Sequence, residues 1–111
     1  MEGFMKGDVI VVPFPFSDLS QAKKRPALVI TNLQGDDIIL CQITSKSISD
    51  QYSIELKKDD FKKGRLKIDS NIRPNRLFTA DIAIILYKVG TIKQVKIQEV
   101  IDKLIHIISL N

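Results

Sequence analysis

Hydrophobic and polar residues fall into short runs along most of the chain, a pattern typical of strands rather than helices. The first run, residues 9–12, is rich in Val and Ile and stops at Pro13. Residues 27–31 and 38–44 are two similar runs, separated by the turn signal Gln34-Gly35-Asp36-Asp37. These two runs are therefore predicted to pair as a hairpin.

The second half of the chain repeats this pattern less regularly. Residues 60–64 predict a short helical turn or loop, and residues 81–85 predict a single helical turn. The strands predicted in this half are residues 52–56, 66–72, 76–79 and 86–92. The first two of them are expected to form another hairpin.

From Val95 onward the hydrophobic period changes from two to about 3.6, which predicts an amphipathic C-terminal helix. Lys93 is a poor capping residue, so the pattern leaves the start of the helix open. A length of 111 residues suits one domain over residues 1–111. The predicted fold class is mainly β with one helix (α+β), a small, strongly curved antiparallel sheet or half-open barrel. The apolar helix positions are Ile97, Val100, Ile101, Leu104, Ile105 and Ile108.

Composition narrows the function classes. Seventeen Lys and Arg against thirteen Asp and Glu give a net charge of +4, which favours polyanionic partners only weakly. A single cysteine, Cys41, excludes an intrachain disulfide, and with the lone His106 it cannot form a His/Cys zinc site within one chain, so no metal or cofactor is expected. The N-terminal residues 1–8 lack an apolar signal region and residues 9–16 are too short for a membrane span, which indicates a cytoplasmic protein.

A long polar loop, residues 14–24, is the first place where chemistry is expected, and it carries Ser17 and Asp18. It runs into the cationic sequence Lys23-Lys24-Arg25-Pro26, in which Pro26 fixes the backbone next to Arg25. A guanidinium offers a planar fork of donors to a phosphate oxygen. The alternative is a surface arginine that pairs with Asp18 or another acid.

Thr44 and Ser45 end the third predicted strand with two hydroxyl groups. If the second and third strands pair, Arg25 and Thr44 face one pocket. The alternative for Thr44 is a strand-end hydroxyl that bonds to backbone.

A further polar cluster covers residues 72–79, where Arg73, Asn75 and Arg76 surround a proline turn and are expected to contact RNA phosphates and base edges. The aromatic residues Phe14, Phe16 and Phe78 suit either base stacking or core packing. His106 is interpreted as a partly buried helix residue or dimer contact, and Cys41 as a structural cysteine.

Three segments of the chain carry a resemblance to a known family. They are Gly7-Asp8-Val9-Ile10 through Pro13-Phe14, then Lys24-Arg25-Pro26-Ala27-Leu28-Val29-Ile30, then Gln42-Ile43-Thr44-Ser45. Together they resemble the opening of the MazF/PemK family of toxins. Arg73-Pro74 through Leu77-Phe78-Thr79, Lys88-Val89-Gly90 and the terminal helix are similar to the remainder of that family. The resemblance runs through nearly the whole chain in the same order.

The resemblance implies an SH3-like barrel, a homodimer, and an endoribonuclease that cuts single-stranded mRNA and is neutralised by a small acidic antitoxin. It places Arg25 and Thr44 as the catalytic pair, with Gln42 and Ser45 as supporting groups. Other members use a loop histidine and a later aspartate, but residues 14–24 contain no histidine and Asn75 stands in the later loop. The general base stays open between Asp18 and a purely positional mechanism. The rival hypothesis is a non-catalytic toxin of the same barrel fold, such as a DNA gyrase poison or an RNA binder.

Overall fold

Strands make up most of the chain in the computed structural model, which describes residues 3–14 and 23–110. Within these residues there are seven strands and one α-helix, and the predicted mainly β class is confirmed. They are β1 (Asp8–Phe14), β2 (Lys23–Asn32), β3 (Asp37–Thr44), β4 (Ile54–Leu56), β5 (Phe61–Gly64), β6 (Ser70–Asp81), β7 (Tyr87–Ile92) and α1 (Gln94–Ile108).

The strands form a single antiparallel sheet in the order β4-β6-β3-β2-β1-β7-β5, curled into a half-barrel. The predicted hairpin of β2 and β3 is confirmed, with Ala27 opposite Gln42 and Val29 opposite Leu40. β2 is longer than predicted because it begins at Lys23 and pairs with β1 as far as Phe14. The cationic sequence Lys23-Lys24-Arg25-Pro26 is therefore part of β2, and its side chains alternate between the two faces of the sheet.

Alternation along β1 and β2 divides the core into two clusters, one on each face of the sheet. Val9 and Leu28 belong to the first cluster, which α1 covers with Ile97 and Val100. The second cluster contains a different set of buried side chains, against which the 3₁₀ turn Ile82–Ile84 packs. This turn confirms the prediction for residues 81–85. The buried members of the second cluster are Ile10, Val12, Ala27, Val29, Ile38 and Leu40.

The short helical turn or loop predicted over residues 60–64 is wrong for residues 61–64. A 3₁₀ turn, Lys58–Asp60, ends at the first residue of this segment, and Phe61–Gly64 is β5, which pairs with β7. Phe61 is buried in the first core cluster while Lys62 and Lys63 are exposed. An edge strand of four residues with one apolar side chain carries too little periodicity to be recognised locally.

The two strands predicted at 66–72 and 76–79 are replaced by one strand, β6, which begins only at Ser70 and is interrupted by a bulge, so the prediction is wrong for residues 66–69. Its ladder with β3 passes from Cys41–Leu77 directly to Gln42–Arg73. Pro74 lies inside this interruption, so its missing N–H removes no ladder hydrogen bond. The expected pairing of 52–56 with 66–72 is observed only between Ile54–Leu56 and residues 70–72, and it is not a hairpin because β5 lies between them in the sequence.

The helix begins at Gln94 and Lys93 provides no side-chain cap. None of the helices in the described part of the chain is long and apolar enough to cross a membrane.

Candidate active site

Arg25 and Thr44 lie where β2 and β3 leave the regular ladder. Arg25 is opposite Val12 of β1, and the ladder between β2 and β3 reaches Ala27 and Gln42. Arg25 and Thr44 each lie two residues beyond that last pair, so their side chains point to the same face of the sheet as Ala27 and Gln42. The sequence predicted that they face one pocket; in the structure they line two neighbouring cavities together.

The first cavity has a volume of about 210 Å³ and lies on the face of the second core cluster. Phe14 and Phe78 form part of its wall, with ring centroids 5.9 Å apart at an interplanar angle of 44°. Its lining is Val12, Phe14, Arg25, Pro26, Ala27, Gln42, Ile43, Thr44, Lys46, Ile48, Arg73 and Phe78.

The second cavity is wider, at about 610 Å³, and combines basic and apolar side chains. It shares Arg25, Pro26, Ile43 and Thr44 with the first cavity, so these four residues form a ridge between the two. The other lining residues are Val11, Lys24, Ser45, Arg65, Leu66, Lys67, Ile68, Ser70, Tyr87 and Val89.

Both cavities are cationic. Lys46 and Arg73 line the first, three more cations line the second, and Arg25 stands on the shared ridge. No Asp or Glu belongs to the described lining of either cavity. Concave surfaces of one charge concentrate ions of the opposite sign, so a phosphate crossing the ridge is bound favourably.

The hydroxyl group of Thr44 has a defined orientation. Its Oγ1 accepts a hydrogen bond from the Lys46 amide at 3.1 Å, which is the backbone bond that sequence reasoning gave as the alternative. Because the hydroxyl accepts this bond, its own proton is still available for an oxygen on the ridge. The backbone contact and a substrate contact are therefore compatible.

Arg73 is held by a residue that sequence reasoning did not identify. Its Nη2 lies 3.3 Å from Oδ2 of Asp50, while Oδ1 of Asp50 accepts the amides of Tyr52 and Ser53 at 2.9 Å each. Desolvation alone would raise the pKa of Asp50, but the two amide hydrogen bonds and the Arg73 guanidinium lower it below its usual value. Asp50 is thus ionised at neutral pH.

The remaining predicted residues divide into three groups. Gln42 lines the first cavity, and Lys24 and Ser45 line the second. Lys23, Asn75 and Arg76 are exposed and line neither. Ser17, Asp18 and Phe16 lie outside the described residues.

Five polar side chains of the described lining were absent from the prediction: Lys46, Arg65, Lys67, Ser70 and Tyr87. Arg65 and Lys67 belong to a second basic run, residues 57–67, which is visible in the sequence, but nothing local indicates that this run meets Arg25 across the sheet. One local feature could have indicated Asp50. Its carboxylate accepts hydrogen bonds from the backbone amides two and three residues later, as aspartates in turns commonly do.

Comparison with known proteins identifies the family. The model of PemK-like, MazF-like toxins of type II toxin-antitoxin systems matches residues 5–108. The chain belongs to this family. No match is found among curated proteins.

The PemK/MazF-like fold is confirmed by solved structures. MazF from Deinococcus radiodurans superposes with a TM-score of 0.76 at 17% identity, covering 99% of this chain and 100% of that one. A MazE–MazF structure from the same organism gives 0.74 at 14% identity, with both chains covered completely. An endoribonuclease from a mycobacterial species, solved with its cognate antitoxin, gives 0.74 at 11% identity and covers 100% and 98% of the two chains.

The two other candidate residues of this PemK/MazF-like chain lie away from the ridge. His106 is exposed on α1 and lines neither cavity, while Cys41 is completely buried in β3. The described residues contain no group of three or more His, Cys, Asp or Glu side chains placed to hold a metal ion.

Cys41 should resist thiol reagents in the folded protein. Burial raises the pKa of its thiol to about 12, which suppresses the reactive thiolate, and the surrounding core blocks access. We expect labelling by an aromatic disulfide reagent at pH 8 to be slower by about 10²-fold in buffer than in guanidinium chloride. Equal rates in the two solutions would contradict the burial of β3.

Proposed function

We propose that this protein is a sequence-selective endoribonuclease toxin that cuts single-stranded RNA without a metal ion. The observation that carries the proposal is the ridge of Arg25 and Thr44 between two cationic cavities. A phosphate on the ridge contacts both side chains, and the nucleotides on its two sides enter the two cavities. Family membership supports the same function.

In the proposed reaction the RNA supplies its own nucleophile. The ribose 2′-oxygen next to the ridge loses its proton and forms a bond to phosphorus, and the bond from phosphorus to the 5′-oxygen of the next nucleotide breaks. The products are a 2′,3′-cyclic phosphate and a 5′-hydroxyl group, whose oxygen takes up a proton. Every atom of the RNA is retained, so the protein has only to orient the groups, stabilise charge and move protons.

Arg25 stabilises the charge that develops on the pentavalent phosphorus, because its guanidinium stays protonated and presents parallel donors. Thr44 donates a hydrogen bond from its hydroxyl group to a non-bridging oxygen, and Gln42 and Ser45 lie beside it on the two cavities. The described lining contains no histidine or carboxylate that would act as a base. We therefore assign catalysis mainly to positioning and charge stabilisation, with Asp18 as the candidate base.

The decisive experiment incubates purified protein with a long RNA in EDTA and maps the cut ends. We expect cuts at one recurring sequence, and no cut when the ribose before the mapped phosphate is 2′-deoxy. A requirement for added Mg²⁺ would overturn the metal-independent reaction, and cleavage of the 2′-deoxy substrate would overturn attack by the 2′-hydroxyl.

Partners follow from the same charge pattern. We propose a cytoplasmic homodimer whose cationic cavities are covered by an acidic antitoxin segment that competes with RNA. Exposed apolar side chains at the end of α1, including Ile105 and Ile108, support a subunit contact. Light scattering that gives a strict monomer at micromolar concentration would contradict the dimer, and an antitoxin that binds without protecting RNA would contradict the shared site.

The second candidate function is a non-catalytic toxin of the same fold that binds DNA gyrase or RNA. The shared placement of Arg25 and Thr44 on one ridge favours cleavage. Intact RNA in the EDTA experiment, together with inhibition of DNA supercoiling by gyrase, would favour the alternative.

Thr44 should contribute to cleavage through its hydroxyl proton. We expect Thr44→Val, which keeps the shape of the side chain, to lower the cleavage rate by about 10²-fold, because one donor to the developing charge is lost. Thr44→Ser should keep most of the activity. Single-turnover rates with a fluorogenic RNA measure both, and a near wild-type rate for Thr44→Val would contradict a role for the hydroxyl group.

Lys24 should act on binding rather than on chemistry. We expect Lys24→Ala to weaken RNA binding about equally for all sequences and to lower the slope of log K against log salt by about 1. Lys62→Ala is the matched control, because Lys62 is exposed on β5 and lines neither cavity. An unchanged slope for Lys24→Ala would contradict a phosphate contact.

A further inference from the structure

The first cavity has walls that suit a nucleobase better than a phosphate. The tilted rings of Phe14 and Phe78 and the side chains of Val12 and Ile48 line it, and its volume of about 210 Å³ is on the scale of one base. Aromatic walls favour the flat face of a base over a sugar or a phosphate. The cavity adjoins the ridge, so a base held there is next to the phosphate that Arg25 contacts.

Arg73 supplies polar recognition inside this cavity. Its Nε is buried and has no hydrogen-bond partner among the described residues. A buried N–H group without an acceptor is destabilising unless a ligand provides one. Gln42 lies opposite Arg73 on β3 and lines the same cavity, adding an amide group.

Asp50 changes what Arg73 can recognise. The Oδ2 atom of Asp50 contacts only Nη2 of Arg73 and neutralises the guanidinium charge from that side. The Nε–H group of Arg73 is left for a ligand. Arg25, by contrast, has no ion-pair partner in the part of the chain that the structure describes. An unpaired cation suits a phosphate, whereas a neutralised, fixed donor suits an uncharged acceptor.

We propose that the first cavity reads one base beside the cut, that Arg73 donates to a keto oxygen of guanine or uracil there, and that Asp50 is the residue that positions Arg73. The proposal rests on the endoribonuclease function given above. A guanidinium only donates, so it can bind O6 of guanine or O4 of uracil, whereas adenine and cytosine carry an amino group, itself a donor, at these positions. Asp50 touches no substrate and acts through Arg73.

The test uses the mapped cleavage site and sets of four RNAs that differ only in one base, for each position on either side of the cut. We expect wild-type kcat/KM at one position to favour guanine or uracil over adenine and cytosine by about 10-fold or more. Arg73→Lys keeps the charge but loses the fork, so most of this preference should disappear. Asp50→Asn should flatten the preference by lowering kcat/KM on the favoured RNA while the disfavoured RNAs change little.

Asp60→Asn is the matched control. Like Asp50, Asp60 accepts a backbone amide, that of Lys57 at 2.7 Å, and lies 3.5 Å from a cation, Lys96, but this cation lines neither cavity, whereas Arg73 lines the first. It should leave the preference unchanged. Asp50→Glu, which restores the carboxylate at a different reach, should recover part of the preference.

Two results would overturn the proposal: an equal loss on all four bases in Asp50→Asn or Arg73→Lys, or a wild-type enzyme without keto preference at any position. An equal loss accompanied by a smaller salt slope would assign Arg73 to a phosphate instead. Binding of the same RNAs carrying a 2′-deoxy sugar at the cut separates this proposal from the proposed function. If no RNA is cut, the nuclease is overturned, and tighter binding of oligouridine than of oligocytidine of equal length would still support the base pocket.

Discussion

Arg25→Ala should lower the cleavage rate by about 10²–10³-fold, the usual loss when one donor to a developing oxyanion is removed. The side chain is exposed on β2 and has no ion-pair partner among the described residues, so its removal should leave the free energy of unfolding nearly unchanged. Single-turnover cleavage and urea unfolding, measured on the same preparation, check the two statements.

Arg25→Lys separates charge from geometry. An ammonium group keeps the positive charge but cannot present two parallel donors, so only a fraction of the rate should return. Lys58→Ala is a control for the loss of a surface cation, because Lys58 lies in the 3₁₀ turn and lines neither cavity. Near wild-type cleavage by Arg25→Ala would remove this residue from the active site.

Hydrophobic periodicity identified those parts of the fold whose signal is local. The β2–β3 hairpin, the 3₁₀ turn Ile82–Ile84 and the terminal helix all carry either a turn signal or several repeats of one period. β5 and the continuous β6 were missed for the opposite reason. β5 is defined by its pairing with β7, and β6 is continuous only because its bulge accommodates Pro74.

The site shows the same division between local and distant information. Arg25 and Thr44 were brought together by a hairpin that the sequence specifies, so their shared pocket was predictable. The contact between Asp50 and Arg73 joins the β3–β4 loop to β6, and its partners are 23 positions apart. No periodicity or spacing rule predicts such a pair, because the contact depends on how the long loop folds back over the sheet.

The basic wall of the second cavity is a similar case. Arg65 and Lys67 follow β5, and they line the second cavity because β5 pairs with β7, which lies next to β1 in the sheet. The sequence alone could therefore not show that the basic residues 23–25 and the basic run 57–67 meet, because β5 was not recognised as a strand.

Gly90→Ala should have the largest effect on stability, because β7 at this point is enclosed by backbone on the side of β5. Gly90 is buried, it lies opposite Val9 of β1 and Gly64 of β5, and an added Cβ would overlap the carbonyl oxygen of Lys63 and lie 3.0 Å from the Cα atom of Gly64. Backbone atoms that are hydrogen-bonded in a sheet cannot relieve an overlap by a change of rotamer, as a side chain can. The strand β5 would have to move away from β7, which would expose Phe61 and Ile92 of the first core cluster.

We expect Gly90→Ala to lower the free energy of unfolding by about 3 kcal/mol or more, measured from urea midpoints at constant slope. Two control glycines separate the causes. Gly35→Ala adds a Cβ in open space at a φ of +75°, so it should cost only about 1 kcal/mol of backbone strain. Gly3→Ala has open space and no such φ, and it should change nothing. If Gly90→Ala unfolds at the same urea concentration as Gly3→Ala, β5 does not pack against β7, and the wall that brings Arg65 and Lys67 to the second cavity must be built differently.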